Sequence, residues 1–407
     1  MEDARTPQVH AGSDRTPVVA ARCTEYEFEA VQAALRRALA PLGGMAAFVR
    51  PGERIVLKPN LLLGTAPDQA ITTHPVVVAA VAVEVREAGA HPVVAESPGS
   101  GIVHAKTFVD RIYRKTGLRE VAERYGFELS LDMGWEAVSL PEARLVRRLE
   151  VMDPIREADG VINLAKFKTH TFMVFTGATK NLFGVIPGLN KVAFHGKFAD
   201  PLRFADMLLD VAGFVRPRLS IVDAIVGMEG KGPGTAGKAR PLGFLLAGTD
   251  TVAMDVACCR IARIDTGAVP VLAAAHERGL WSGRAADVDT IGVPVAELQV
   301  KDFLLPSLHT RERGDSPVGV VERLARPILR GGFSPRPRPK KDRCTLCASC
   351  ERACPGKAIH MDKEARVAKV DDALCIRCYC CHEVCPSAAI DLEFTGLGRV
   401  VHGVGLV

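Results

Sequence analysis

The stretch 161–184, VINLAKFKTHTFMVFTGATKNLFG, decides both the fold class and the position of the chemistry. It begins as an apolar run that is typical of a buried strand, and the run leads directly into Lys168 and His170. Lys180 and Asn181 begin ten residues after His170. None of the 24 residues is Asp or Glu, so the stretch predicts a buried strand that ends in clustered positive charge.

Apolar runs of the same kind recur on both sides of this stretch, and amphipathic segments separate them. Such alternation predicts an α/β domain in which helices flank a mainly parallel sheet. The pattern does not specify the order of the strands. We predict strands over 54–58, 91–96, 159–166, 219–225 and 241–248, and helices over 74–90, 118–126 and 249–264.

Polar or glycine-rich segments follow each predicted strand. Ligands of open α/β sheets bind outside the carboxyl ends of the strands, so we expect these segments to form one site. Four acidic residues could fix lysines or relay protons there: Asp223, Glu229, Asp250 and Asp255, of which Asp250 is equally suited to cap a helix. A surface salt bridge is the ordinary alternative for every lysine. The candidate catalytic residues are Lys58, Asn60, Lys166, Lys168, His170, Lys180, Asn181 and His195.

The two histidines of this set each have lysines within four residues, namely Lys166 and Lys168 for His170, and Lys191 and Lys197 for His195. A neighbouring ammonium lowers the pKa of an imidazole, whereas an anionic ligand raises it. Either histidine is therefore a candidate proton donor.

Two cysteine runs near the C-terminus predict an iron–sulfur module. Residues 344–355 read CTLCASCERACP and residues 375–386 read CIRCYCCHEVCP, and both contain C-x2-C-x2-C-x3-C-P. In this bacterial ferredoxin pattern the fourth cysteine of each run binds the other cluster. A disulfide scaffold or two zinc knuckles are the alternatives, and the duplicated run with both prolines disfavours them. The expected ligands are Cys344, Cys347, Cys350 and Cys385 for one [4Fe–4S] cluster, and Cys375, Cys378, Cys381 and Cys354 for the second. Cys380 is interpreted as a bystander thiol.

The glycine-rich segment 232–238, GPGTAGK, resembles a phosphate-binding loop but lacks its context. Both phosphate-loop patterns require a helix to begin at once. Here Ala239, Arg240 and a strand-like run follow, and no Ser or Thr stands after Lys238. We therefore exclude a nucleotide-binding loop and expect a mobile loop near the site.

Length and composition limit the remaining possibilities. The 407 residues carry a formal charge of +5, and no window is apolar enough for a transmembrane helix. We expect a cytoplasmic protein with no nucleic-acid or membrane partner, because the basic run at 335–343 is short and rich in proline. The expected organisation is a disordered N-terminus (1–17), an α/β catalytic domain (18–310), a linker (311–341), a small α+β ferredoxin-like domain with two clusters (342–395) and a C-terminal tail (396–407).

Seven motifs together resemble the DUF362 family, many members of which carry a two-cluster ferredoxin module at the C-terminus. The resemblance covers roughly residues 50–270 and the ferredoxin run. It implies redox work without a defined substrate. The motifs are KPNLL (58–62), TTHPVVVAA (72–80), ESPGSG (96–101), NLAKFKTH (163–170), GATKNLFGVIPG (177–188), VDAIVGMEGKGP (222–233) and AGTDTVAMD (247–255).

The sequence thus predicts an iron–sulfur-dependent reductase that passes low-potential electrons to a conjugated or aromatic small molecule, such as a polyketide-like ring that loses aromaticity. Lysines would stabilise the negative charge, a histidine or lysine would supply the proton, and the asparagines could orient a carbonyl or phenol. No flavin or nicotinamide motif is present, so we expect an external ferredoxin and ferredoxin reductase as the electron donor. An electron-transfer subunit or scaffold is the first alternative. Phosphate- or carboxylate-dependent ligation with structural clusters is the second. The chain could form a homo-oligomer.

Overall fold

The computed structural model describes residues 17–99, 104–188, 190–306 and 335–394. The expected disordered N-terminus, most of the linker and the C-terminal tail lie outside these residues. Throughout the described part, no helix is long and apolar enough to cross a bilayer.

One mixed sheet organises the large domain. Its strands are β1 (Val18–Arg22), β2 (Arg54–Lys58), β3 (His91–Val94), β4 (Glu128–Leu129), β7 (Gly160–His170), β8 (Val174–Thr176), β9 (Leu219–Gly230), β10 (Gly237–Gly248) and β11 (Thr290–Gly292). The order is β11-β1-β10-β9-β7-β2-β3-β4, and β8 pairs with β7. Pairing is parallel from β9 through β7, β2 and β3 to β4, whereas β10 is antiparallel to both neighbours. The predicted α/β class with a mainly parallel sheet is confirmed.

Helices cover both faces of this sheet, and a separate hairpin of β5 (Trp135–Ser139) and β6 (Arg148–Met152) lies beside it. The helices are α1 (Phe28–Leu39), α2 (Pro75–Glu87), α3 (Lys106–Lys115), α4 (Leu118–Tyr125), α5 (Asp153–Arg156), α6 (Ala178–Asn181), α7 (Asn190–Lys197), α8 (Pro201–Val215), α9 (Thr251–Ala262), α10 (Pro270–Glu277) and α11 (Val295–Leu298). Alternate residues of each strand face opposite sides. In β2, for example, Ile55 and Leu57 pack under α1 and α2, whereas Val56 packs on the side of α8 and α9.

Three central strands run further than the sequence pattern indicates, and their extra length builds the site. β7 continues through Lys168 to His170, and β9 continues to Gly230. β10 begins at Gly237 and pairs with β9 as an antiparallel hairpin. The glycine-rich segment is therefore the hairpin connection, which agrees with the exclusion of a phosphate-binding loop.

The small domain consists of β12 (Arg336–Pro339), α12 (Ser349–Arg352), β13 (Ile359–Asp362), β14 (Val367–Val370), α13 (Cys380–Glu383) and β15 (Ile390–Glu393). β12 pairs with β15, and β13 with β14, both antiparallel. The linker was expected to run to 341, but its residues 336–339 form the first strand of this domain. Prolines are compatible with such an edge strand, and Arg336 and Arg338 both bind Asp372 there.

Candidate functional site

Two of the predicted lysines are held in buried ion pairs. Lys58, the last residue of β2, pairs with Glu96, and both side chains are buried. Lys166 of β7 donates to Asp223 at 2.7 Å and to the hydroxyl of Tyr26 at 3.0 Å. A surface salt bridge was the alternative to a catalytic role for every lysine. For these two lysines that alternative is wrong, since both ion pairs lie in the interior.

The other two lysines lack such a partner. Among the described residues, neither Lys168 nor Lys180 has a carboxylate oxygen within 4.0 Å of its Nζ. Lys168 Nζ donates instead to Asn60 Oδ1 at 2.6 Å and to the carbonyl oxygen of Ile71 at 2.9 Å. Lys180 is partly exposed, and its Nζ lies 5.9 Å from the ring centre of Phe183. Neither ammonium group is thus neutralised by a carboxylate at contact distance, and Lys168 is buried whereas Lys180 is partly exposed.

Burial and neighbouring positive charges lower the pKa values of these two lysines and make them stronger acids than usual. Burial lowers the pKa of Lys168 well below its ordinary value, and the charge of Lys180 lowers that pKa further. Burial also lowers the pKa of Lys180, against the attraction of the Glu383 carboxylate. A lysine of lowered pKa is better able to give up a proton.

Three asparagine side chains and the side chain of Lys168 form one hydrogen-bonded network. Asn60 Nδ2 donates to Asn181 Oδ1 at 3.0 Å, and Asn181 Nδ2 donates to Asn163 Oδ1 at 2.8 Å. Because Asn60 Oδ1 also accepts from Lys168, the chain of bonds runs from the ammonium group into the sheet. Asn60 and Asn181 therefore hold Lys168 in position.

His170 is the last residue of β7 and is completely buried. Its Nδ1 accepts from the backbone N–H groups of Phe172, at 3.1 Å, and Met173, at 3.4 Å. The neutral ring consequently carries its proton on Nε2. Burial, followed by the charges of Lys180 and Lys168, lowers its pKa well below the ordinary value. His170 is therefore neutral at pH 7 and can donate a hydrogen bond through Nε2.

His195 lies apart from this arrangement in an aromatic pocket. Its ring stacks on Phe204 at 4.5 Å between centroids, and Phe172 and Phe183 lie beside it. Burial, then the charge of Lys180, lowers the pKa of His195 to about 3. The lysine that acts on this histidine is thus Lys180, and not the Lys191 and Lys197 that neighbour it in the sequence.

The four acidic residues take different positions. Asp223 binds Lys166, as expected. Asp250 caps α9 through the backbone N–H groups of Val252 and Ala253. Asp255 accepts from the N–H groups that begin α6, and burial raises its pKa to about 7. Glu229 lies 3.7 Å from Arg240. Only Asp223 fixes one of the candidate lysines.

The small domain docks against the end of β7 and the β9–β10 connection. His170 Nε2 lies 3.4 Å from Oε1 of Glu383, which is buried and belongs to α13. Neither of these two atoms has a hydrogen-bond partner among the described residues. Thr235 donates to the carbonyl oxygen of Cys385 at 2.7 Å. Gly234 lies so close to Glu383 O that a Cβ at this position would clash. The second cysteine run therefore forms one wall of the site.

The two cysteine runs differ at the positions through which the second run packs against the site. The position of Glu383 is occupied in the first run by Arg352, which is exposed and bonds Ser349. Tyr379, which packs into the core of the large domain, corresponds to Ala348. The duplicated pattern thus retains its ligands in both halves, and the residues between them suit opposite surroundings.

The cysteines fit the iron–sulfur clusters that their spacing implies. Four of the thiols line one cavity together with Leu346, Met361 and Ile390: Cys344, Cys347, Cys350 and Cys385. Around the second set, burial and then the charges of Cys378, Cys375, Cys350 and Cys354 raise the pKa of Cys381, and burial and the charges of Cys378 and Cys354 raise that of Cys375. Both groupings agree with the expected crossed assignment, in which the fourth cysteine of each run joins the other set.

Several residues of the site were not assigned from the sequence. Glu96 is the last residue of the predicted strand 91–96, so its position could have indicated a role. Tyr26 and Lys191 come from segments without a site motif, and Lys191 donates to Ser97 and to the carbonyl oxygen of Ile186. Nothing in the sequence around Glu383 indicated its role, because an iron–sulfur cluster motif does not show which of its residues faces another domain.

Comparison with known proteins agrees with this architecture. Residues 55–260 match the family described as Domain of unknown function (DUF362). The chain belongs to the DUF362 family. Residues 343–389 match a 4Fe-4S dicluster domain. This DUF362 protein therefore carries an iron–sulfur domain with the capacity for electron transfer.

A curated relative and a solved structure extend the comparison. The Thylakoid-associated protein sll1697 of Synechocystis sp. is 36% identical over 301 residues, which cover 70% of this chain and 87% of the relative. The lactate racemase apoprotein from Thermoanaerobacterium thermosaccharolyticum aligns with a TM-score of 0.39 and 15% identity. That alignment covers 61% of this chain and 58% of the racemase chain.

Proposed function

We propose that the protein is an iron–sulfur-dependent reductase of a conjugated or aromatic small molecule. The observation that carries the proposal is the approach of Glu383 to His170, at 3.4 Å between Oε1 and Nε2. Glu383 lies between Cys381 and Cys385, one expected ligand of each cluster. The iron–sulfur domain and the cationic site are therefore in direct contact, as a reductase requires.

Two [4Fe–4S] clusters would be held by the eight cysteines of the two runs, and such clusters supply single electrons at low potential. The overall change is the addition of two electrons and two protons to the acceptor. An external ferredoxin with its reductase supplies both electrons, one protein side chain supplies the first proton, and bulk solvent supplies the second.

The protein's own residues have distinct parts in this proposal. Lys168 and Lys180 stabilise the negative charge that develops on the acceptor, because they alone among the four lysines lack a paired carboxylate. Neutral His170 donates a hydrogen bond through Nε2. Lys168 is the better candidate for the proton donor, since its lowered pKa favours release of the proton. His195 fills the aromatic pocket.

The remaining parts of the proposal rest on the sequence. The acceptor class includes polyketide-like rings that lose aromaticity on reduction. The proposed location is the cytoplasm, the proposed domain limits are those given above with β12 added to the small domain, and a homo-oligomer is compatible with the chain. The name of the curated relative associates that protein with thylakoids, which makes fractionation a direct check of location.

The test is a stopped-flow experiment in which the reduced protein is mixed with candidate acceptors. Conjugated enones, quinones and hydroxylated naphthalenes serve as probes, and cluster absorbance reports re-oxidation. We expect at least one probe to accelerate re-oxidation in the wild type and much less in Lys168→Met, with a two-electron-reduced product. If no probe gives a difference between wild type and variant, electrons do not leave through this site. An electron-transfer subunit would then be favoured.

A further inference from the structure

Helix α3 of the large domain presents one basic side to solvent. Its residues Val109, Ile112 and Tyr113 are buried, and they define the side that packs on the domain. The other side is exposed and carries four cations: Lys106, Arg111, Arg114 and Lys115. α3 is therefore an amphipathic helix at the protein surface.

One large apolar side chain stands among these cations. Phe108 is 47% exposed, although the next residue, Val109, is buried. Arg111 and Lys115 follow Phe108 by three and seven residues, so the three side chains lie on the same side of the helix. A single exposed apolar residue is ordinary on a protein surface. Here the ring has cations beside it, and the two kinds of group can bind one ligand together.

The charges on this side of α3 are not neutralised within the protein. Asp110 is the one acidic residue of the helix, and it pairs with both Arg114 and Arg119 of α4. The other three cations of α3 have no carboxylate oxygen within 4.0 Å among the described residues. Two guanidinium groups thus share one carboxylate, and the surface retains a net positive charge. A complementary ligand is anionic.

The size of this surface decides between an anionic protein and an anionic membrane. α4 packs beside α3 and exposes Glu120 and Glu123, which bound the positive area on that side. A specific protein interface takes about 20–30 residues from each partner, whereas α3 has 10 residues in all. Membrane binding needs less, because an aromatic ring enters the boundary of headgroups and acyl chains while Lys and Arg attract anionic lipids. The observations favour the membrane.

We propose that α3 docks the protein on a bilayer of anionic lipids, with Phe108 in the interface and Arg111 and Lys115 at the headgroups. Such binding is peripheral and needs no helix that crosses the bilayer. The expectation of no membrane partner rested on the basic run at 335–343, whereas the cations of α3 are separated in the sequence and come together only on the folded helix. The inference is independent of the proposed reductase reaction, because its test uses neither an acceptor nor electrons.

The experiment is co-sedimentation of the full-length, cluster-reconstituted protein with lipid vesicles. Vesicles of phosphatidylcholine are compared with vesicles of equal parts phosphatidylcholine and phosphatidylglycerol. We expect binding to the anionic vesicles alone, and its loss at about 1 M salt, where charges are screened within about 3 Å. Phe108→Ser should weaken the affinity about five- to tenfold, since the ring is already half-buried before it binds. Phe108→Trp retains an interfacial aromatic ring and should bind like the wild type.

Charge reversals distinguish this surface from the overall charge of the protein. Lys115→Glu should weaken binding about 25-fold, because the lost positive charge and the added negative charge each change the affinity about fivefold. Lys301→Glu makes the same change of net charge at another exposed lysine and should have little effect. Lys301 follows Val300, which packs in the core on the other face of the sheet from α3. Leu280→Ser, at a side chain of 46% exposure, is the matched control for Phe108→Ser.

Four results would each overturn the proposal. If the wild type sediments with neither kind of vesicle, α3 does not bind a membrane, and an acidic protein becomes the favoured partner. If it binds both kinds equally, anionic lipid is not recognised. If Lys301→Glu weakens binding as much as Lys115→Glu, the overall charge carries the attraction. If Phe108→Ser binds like the wild type, the ring does not enter the interface. Circular dichroism and iron content verify that each variant is folded, and the ring and charge variants test the same surface separately.

Discussion

Gly234 controls how closely the small domain can approach the reaction site. In the substitution Gly234→Ala, the new Cβ would lie well inside 3.0 Å of the carbonyl oxygen of Glu383, a backbone atom that cannot rotate away. To restore an ordinary separation of about 3.5 Å, the two domains must part by ~1 Å. A displacement of this size at a reacting centre can cost about 10²-fold in rate. We expect acceptor-dependent re-oxidation to fall by about that factor.

A helix glycine provides the matched control. Gly213 in α8 has nothing within 4 Å of the position of an added Cβ, so Gly213→Ala introduces the same methyl group without a clash. Alanine in a helix is favoured over glycine by about 0.5–1 kcal/mol, and this variant should keep the wild-type rate with unchanged or slightly higher stability.

Three measurements decide the outcome for Gly234→Ala. Iron content should equal that of the wild type, because no cysteine is altered. Hydrogen exchange of the segment 379–385 should quicken, since Thr235 and Glu383 then lose their docked contacts. Stopped-flow re-oxidation should be slow. If the variant shows faster exchange but re-oxidises at the wild-type rate with an acceptor that responds to Lys168→Met, close docking is not needed for electron delivery, and the reasoning fails.

Other substitutions test individual residues. Lys168→Met should slow acceptor-dependent re-oxidation by about 10²–10³-fold, whereas the control Lys197→Met, which alters an exposed lysine, should have no effect. Because the pKa of Lys168 lies below its ordinary value, the wild-type rate should fall as pH rises through that lowered pKa; in Lys168→Arg, whose charge persists, a remaining fall would exclude Lys168 as the acid. Glu96→Gln leaves Lys58 buried without its partner and should lower the free energy of unfolding by about 3–5 kcal/mol in urea titrations; a loss below about 1 kcal/mol would contradict the importance of this pair. His195→Phe should leave the pH profile between pH 5 and 9 unchanged, since a ring with a pKa of about 3 is already neutral throughout that range, and a lost limb would identify His195 as the donor after all.

The fold was largely accessible from the sequence because its strands carry local signals. The segment RIVLK, for example, forms a buried parallel strand over Arg54–Lys58, which are the residues predicted. The extensions of β9 and β10 were not accessible. They pair with each other beyond the end of the apolar runs, where β10 carries exposed residues while Glu229 of β9 is buried. Such pairing depends on the hairpin as a whole, not on the composition of either strand.

The sequence predicted that the site contains several lysines, but it did not predict which of them are paired with a carboxylate. The pattern placed Lys58 and Lys166 at the ends of predicted strands and Lys168 just beyond, although β7 continues to His170. Which of them is neutralised depends on Glu96 and Asp223, whose distance in sequence from their partners gives no indication of contact. The role of Glu383 needed the docked arrangement of two domains, which no local motif encodes.

The docked arrangement also constrains how the protein is made. Cys378, Cys381 and Cys385 are each at most 8% exposed, and the Thr235 bond to Cys385 closes the β9–β10 connection over them. We expect iron and sulfide to reach Cys378 and Cys381 more readily before the two domains come together than afterwards, whereas Cys347 of the other set stays exposed in the docked chain. The order in which the two sets are filled would then be linked to the docking of the domains.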